Sequence, residues 1–238
     1  MGPKKGKEVP EAKQILGRAS NKLRMGLVGM PNVGKSTTFN VLSKLSVPAE
    51  NYPFCTIDPN TAEVNIPDKR FDHQCEVWKP KSRVLAQMAI TDIAGLVKGA
   101  SEGKGLGNAF LSHINGVDGI YHVVRAFTDA EIIHEEGEVN PIRDIETING
   151  ELIAKDLQAM KNIVAEIENR LKRATDKKRD QDEMDCMNEV TEMLNAGKMV
   201  KEKNWAAKEV EFLNKHLFLT SKPTVFLVNI GATEYIKK

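Results

Sequence analysis

The 238-residue chain predicts an α/β fold, a doubly wound and mostly parallel sheet interrupted by an inserted helical hairpin. Three observations carry this prediction. Nearly continuous apolar runs occur at residues 23–29, 64–67, 85–92, 119–125 and 224–229, as expected of strands covered on both faces. Helical patterns separate most of them, which is the alternation of an α/β domain. After Pro141 the rhythm changes to long helical periodicity and returns to a strand only at residue 224.

The first strand, residues 23–29, leads into Gly-Met-Pro-Asn-Val-Gly-Lys-Ser at residues 29–36. That is the pattern G-x-x-x-x-G-K-[ST], a phosphate-binding loop. Gly29 and Gly34 let the backbone turn its amides inward on phosphate oxygens. The amides of Asn32, Val33, Gly34, Lys35, Ser36 and Thr37 are the candidate phosphate donors. Lys35 reaches the β- and γ-phosphates, and the Ser36 hydroxyl is a Mg²⁺ ligand. Phe39, Leu42 and Leu45 then recur at helical spacing, and that helix adds the positive end of its dipole.

Residues 51–60 read as a loop whose one well-placed hydroxyl, that of Thr56, is a second candidate Mg²⁺ ligand. The strand at 85–92 ends in Asp92-Ile-Ala-Gly95. Asp92 is placed to hold Mg²⁺ through a water, and the Gly95 amide to bond a γ-phosphate. Glycines at 99, 103, 105 and 107 make the following segment one that reorganises when the γ-phosphate leaves.

From Ile142 apolar residues fall three or four apart as far as Leu171, over about eight turns. A charged stretch follows, then a helix with Met184, Met187, Val190 and Leu194 that closes near Gly197, and a short helix over 208–216. The apolar stripe reads as self-packing and the charged face as solvated. The chain thus divides into a flexible basic arm (1–20), the first part of a nucleotide-binding domain (21–141), a coiled-coil-like helical insert (142–220) and a return to the nucleotide domain (221–238).

A net charge of +1 gives no global field toward nucleic acid or membrane. Neither a membrane partner nor a specific DNA partner is expected. Three widely spaced cysteines show no zinc spacing and no secreted disulfide framework, and no signal peptide is visible. The expectation is a cytoplasmic protein, with the nucleus as the alternative.

Two absences shape the expected activity. The residue after Gly95 is Leu96, where Ras-like enzymes place a Gln that orients the attacking water. Guanine-specific enzymes end a late strand in N-K-x-D, but here the strand ends Asn229-Ile-Gly-Ala232. Without the Asp acceptor, guanine preference should fall. Asn229 can still hold the loop or the base, and with Ile230 it borders the base.

At these residues the chain resembles the Obg-like ATPases, the YchF subfamily of the Obg group. The stretches that carry the likeness are residues 29–36, 51–60, 92–100 and 105–113. It extends from about residue 20 to the end, and the Pro-Lys-Lys arm is similar to the eukaryotic form. The resemblance implies a slow ATPase on a GTPase-type fold, with GTP and GDP bound more weakly than ATP and ADP, and association with ribosomes and stress responses. It also implies, beyond Lys238, the nucleotide domain's last strand and helix, a second base-contacting loop and then a C-terminal TGS domain. A histidine after the fourth strand is implied in hydrolysis, and His134 matches it. By its own chemistry His134 reads as a surface loop histidine. The family's base loop has N-x-x-E, whereas Ala232 stands at the Glu position and Glu234 lies two residues on.

The expected function is therefore slow, Mg²⁺-dependent ATP hydrolysis, with Lys35 and Gly95 acting on the γ-phosphate and His134 as the implied third catalytic group. Asn32 is the candidate for helping K⁺ bind beside the phosphates. The alternatives are a GTPase and a nucleotide-gated partner-binding module with negligible hydrolysis.

Overall fold

A computed structural model of the chain describes residues 15–17, 22–44, 60–96, 99, 107–129, 131–173 and 177–237, with the backbone alone at 107–109 and 111. Within these residues a five-stranded sheet forms from β1 (Leu23–Val28), β2 (Asn60–Asn65), β3 (Gln87–Asp92), β4 (Gly119–Arg125) and β5 (Thr224–Asn229). Its order is β2-β3-β1-β4-β5, with only β2 antiparallel to its neighbour. The central strand β1 has β3 on one side and β4 on the other. The sheet's direction of winding reverses there, and a crevice opens beyond the strands' carboxyl ends. The chain leaving β1 enters that crevice and continues as α1 (Lys35–Ser43).

The strands at 119–125 and 224–229 lie where the apolar runs predict them. The second strand does not. The run at 64–67 predicts its start four residues too late, because β2 is a half-buried edge strand. Ala62 is buried and Val64 packs on the core, while Asn60, Thr61 and Glu63 face out. Such a strand shows period two rather than a continuous apolar run. The expectation of cover on both faces also fails at β5, the other edge, where Val225, Phe226 and Val228 are about half exposed. Between β2 and β3 runs α2 (Lys69–Trp78), which Asp68 caps by accepting from the Arg70 amide.

The insert is built from α4 (Pro141–Arg173), α5 (Lys178–Asn195) and α6 (Ala207–His216), after α3 (Gly107–Asn115) and β4. Gly197, with φ +73°, closes the turn after α5. A last helix, α7 (Ala232–Ile236), follows β5.

Among the described residues two hydrophobic cores form. One, around Leu27, Phe39, Ile90, Leu96 and Val123, underlies the sheet; the other, around Met160, Ile167, Met187, Leu194 and Phe212, lies among the insert helices. Helix α4 serves both, giving Ile148 and Leu152 to the first and Met160 and Ile167 to the second. A boundary at residue 142 therefore does not mark where packing divides.

The charged outer face of the insert is exposed, as at Lys161, Glu166, Glu168 and Lys172, but not every charge of the insert lies on that face. Asp144, Glu151, Asp156 and Glu183 are all buried. Glu183 of α5 gathers Arg170, Lys215 and His216 around it. Burial pushes its carboxyl up, but the His216 bond and the Lys215 and Arg170 charges together outweigh burial and hold it below the usual range. Asp156 accepts the Leu219 amide (3.0 Å), the Thr220 amide (2.8 Å) and the Thr220 hydroxyl (2.7 Å). That contact fixes α4 to the turn that feeds β5.

Most of the basic arm, residues 1–14 and 18–20, lies outside the described residues. Ile15–Gly17 is not a free tail. Asn214 of α6 accepts the Gly17 amide (2.7 Å) and donates to the Ile15 carbonyl (3.1 Å), while Leu16 packs on the insert core.

Candidate nucleotide site

The loop after β1 owes its shape to two close approaches. A Cβ on Gly29 would lie 2.4 Å from the Val123 carbonyl oxygen of β4, so only glycine lets the loop start this close to the sheet. Gly34 has φ +99°, and a Cβ there would lie 2.6 Å from Nδ2 of Asn229. That nitrogen donates to the Val33 carbonyl (3.0 Å), so β5 holds the loop from the far side. The Asn229 role in steadying the loop is thus visible in the contacts.

Lys35 opens α1 and is buried. Its Nζ donates to the Met30 carbonyl (2.7 Å), folding the side chain back across the loop. Burial pushes the ammonium pKa down to about 8, against the opposing pull of the Asp92 charge. Bound phosphate would favour the charged form. Nucleotide binding at pH 8 should therefore take up about half a proton, and calorimetry in buffers of different ionisation enthalpy measures it.

Ser36 and Asp92, 56 residues apart, meet directly: the Ser36 hydroxyl donates to Asp92 Oδ2 at 2.7 Å. Asp92 ends β3 and is fully buried. Burial raises its pKa, opposed by the Ser36 bond and the Lys35 charge. Its Oδ1 is buried without a hydrogen-bond partner among the described residues. A buried orphan carboxylate oxygen beside a hydroxyl is the donor set that a hard cation with retained waters takes. Ser36 and Asp92 therefore fit Mg²⁺. Thr56, the other expected ligand, lies outside the described residues, as do Gly103 and Gly105.

Gly95 is pressed on the loop; a Cβ there would come 2.9 Å from the Pro31 nitrogen. The next amide, of Leu96, donates to the Gly29 carbonyl (3.1 Å). The Leu96 side chain is buried in the sheet core. It does not merely lack a polar atom; it points away from the site. Leu96→Gln is therefore expected to leave hydrolysis no faster. It should lower stability by about 2 kcal/mol by burying an amide in apolar surroundings, as thermal melts and turnover assays would report.

His134 departs most from the sequence reading. It is buried, not a surface histidine. Its Nε2 lies 2.9 Å from Asp144 Oδ2, and its Nδ1 accepts the Glu136 amide at 3.2 Å. That network assigns the proton to Nε2. Arg125, buried at the end of β4, shapes the loop before it, donating to the carbonyls of Phe127, Asp129 and Ile132. Asn32 Nδ2 donates to the Ile133 carbonyl (3.1 Å), joining that loop to the phosphate loop.

Val33 is buried with its carbonyl used by Asn229, Thr37 faces solvent in the first turn of α1, and Ile230 is partly exposed beyond β5. Glu234 caps α7 by accepting the Gly231 amide at 3.2 Å. Sequence reading missed Arg125, Asp144 and Glu151. The signal for the last two was present, since they share α4's inward stripe with Ile148 and Leu152.

Residues 24–167, more than half of the chain, match the family described as "50S ribosome-binding GTPase". Over its whole length the chain is 50% identical to an Obg-like ATPase 1 from Oryza sativa subsp. indica and 51% identical to Obg-like ATPase 1 of Homo sapiens. It spans 61% and 60% of those relatives' lengths. Among solved structures, the Schizosaccharomyces pombe YchF GTPase superposes with a TM-score of 0.76 at 47% identity, over 94% of this chain and 61% of that one. With Lys35, Ser36 and Asp92 gathered at the switch point of such a sheet, the chain belongs to the 50S ribosome-binding GTPase family, in its Obg-like ATPase (YchF) group.

Proposed function

We propose that the chain binds ATP with Mg²⁺ and hydrolyses it slowly to ADP and phosphate. The observation that carries this reading is the cluster of Lys35, Ser36 and Asp92, with one buried carboxylate oxygen left for a cation. The amides of Asn32 to Thr37 and the Lys35 ammonium hold the phosphates. Mg²⁺, held by Ser36 and, through water, by Asp92, with Thr56 as the further candidate, would offset the charge developing on the β- and γ-oxygens. Gly95 reads the γ-phosphate through its amide. Leu96 supplies nothing to orient water, in keeping with slow turnover. A direct part for His134 requires that its Nε2 leave Asp144.

ATP preference is supported by the base loop. Asn229 is committed to the phosphate loop, Ile230 offers an apolar wall, and Glu234 is committed to the α7 cap. No guanine-selecting Asp stands there. The names of the relatives point both ways, "ATPase" for one set and "GTPase" for the fission-yeast protein. Competition between ATP and GTP with Mg²⁺ tests the preference directly; tighter GTP binding would replace the ATPase reading with the GTPase one.

Ribosome association is proposed on the family description, and the cytoplasm is proposed as the place of action because such an association would occur there. Nucleotide-dependent co-sedimentation with ribosomal subunits tests the former. K⁺ support of turnover, through Asn32, is the remaining proposal, and equal rates in potassium and sodium would remove it.

A further inference from the structure

We infer that Glu151, on the helical insert, is a positioning residue for the phosphate-sensing segment, tying that segment's geometry to α4. The inference rests on the nucleotide-hydrolase reading above. Glu151 Oε1 accepts the Gly99 amide at 2.6 Å, across 52 residues of sequence. Gly99 has φ +87°, a conformation that side-chain-bearing residues resist. The segment that begins at the γ-phosphate sensor is thus held at two points. Leu96 is bonded to Gly29 in the phosphate loop, and Gly99, three residues on, is bonded to the insert. Three residues span at most about 10 Å, so the bond to Glu151 acts close to the point where the segment meets the phosphate loop.

A second contact shares the same line on α4. Asp144 precedes Glu151 by seven residues, within about 20° of two full turns. It holds His134, whose neighbour Ile133 is bonded to Asn32 of the phosphate loop. Two carboxylates on one face of the insert therefore each grip a segment that touches the nucleotide loop. Apolar residues would fill these positions on the stripe of Ile148 and Leu152 without the desolvation that buried carboxylates carry. What the carboxylate adds is a directed bond to one backbone amide.

The test is the affinity of wild type, Glu151→Leu and Glu151→Gln for a non-hydrolysable ATP analogue and for ADP, each with Mg²⁺. Leucine keeps bulk and removes the acceptor; glutamine keeps an acceptor oxygen. Glu151→Leu should weaken the triphosphate analogue by about tenfold and leave ADP unchanged, while Glu151→Gln stays within about threefold of wild type for both. A plain packing defect would weaken both nucleotides alike in the Leu variant, and that result, or no change in either, overturns the proposal. Hydrogen exchange on the wild-type chain tests it without a variant. Amides of the first three turns of α4 should be better protected with the triphosphate analogue than with ADP, and equal protection counts against the proposal. Wild-type binding that survives Lys35→Ala would instead refute the nucleotide-site reading itself.

Discussion

Lys35→Ala is expected to weaken Mg²⁺–ATP binding by about a hundredfold, roughly 3 kcal/mol, the loss for deleting one partner of a buried charge pair. The phosphates would then face the loop's amides without the only side-chain cation placed among them by the phosphate-loop motif. The same change removes a buried ammonium whose burial lowers its pKa to about 8. The empty protein should therefore melt no lower than wild type, and a melt run beside a fluorescence titration separates loss of the site from loss of the fold. An affinity within about fivefold of wild type would show that Lys35 is not the phosphate clamp.

Asp156→Ala should produce the largest loss of stability, about 3 kcal/mol, with a fall in Tm of roughly 6–12 °C. It removes the acceptor for two amides and a hydroxyl in a dry place, where α4 is tied to the turn before β5. The effect has a pH signature. Burial raises the Asp156 pKa above 3.8, against the bonds from Thr220 and Leu219 and the Lys222 charge. The folded carboxyl then binds its proton more tightly than the unfolded chain does. Wild type gains stability from this group as pH falls through the raised value toward 3.8, and the variant does not. The difference between the two proteins should widen on acidification, and melts over a pH series would record it. A difference that narrows would mean that Asp156 is held ionised by its partners rather than penalised by burial.

The phosphate loop and the D-x-x-G strand end were legible because each packs its chemistry into a few neighbouring residues. Lys35 and Ser36 are adjacent, and Asp92 and Gly95 are three apart, so local spacing specifies them. The strand at 119–125 was legible because a strand buried on both faces is nearly continuous in apolar residues, here with His122 and Arg125 as the exceptions. Strand β2 was read four residues late because an edge strand mixes polar and apolar residues. His134 was read as exposed because nothing near it in the chain announces Asp144 as its partner or Arg125 as the residue that shapes its loop.

By itself, then, the sequence determined that the chain carries the phosphate-binding loop and the D-x-x-G strand end of a nucleotide-binding fold on a mostly parallel sheet, and that helices interrupt the sheet. Those properties depend on residue types at short separations and on periodicity. Only the tertiary structure decided that Leu96 faces the core, that Asn229 braces the loop through Val33, and that Asp144, Glu151 and Asp156 turn inward to fasten the insert. Those facts depend on which distant segments meet. A buried carboxylate looks the same in sequence as a solvated one until the amide that it accepts is brought beside it.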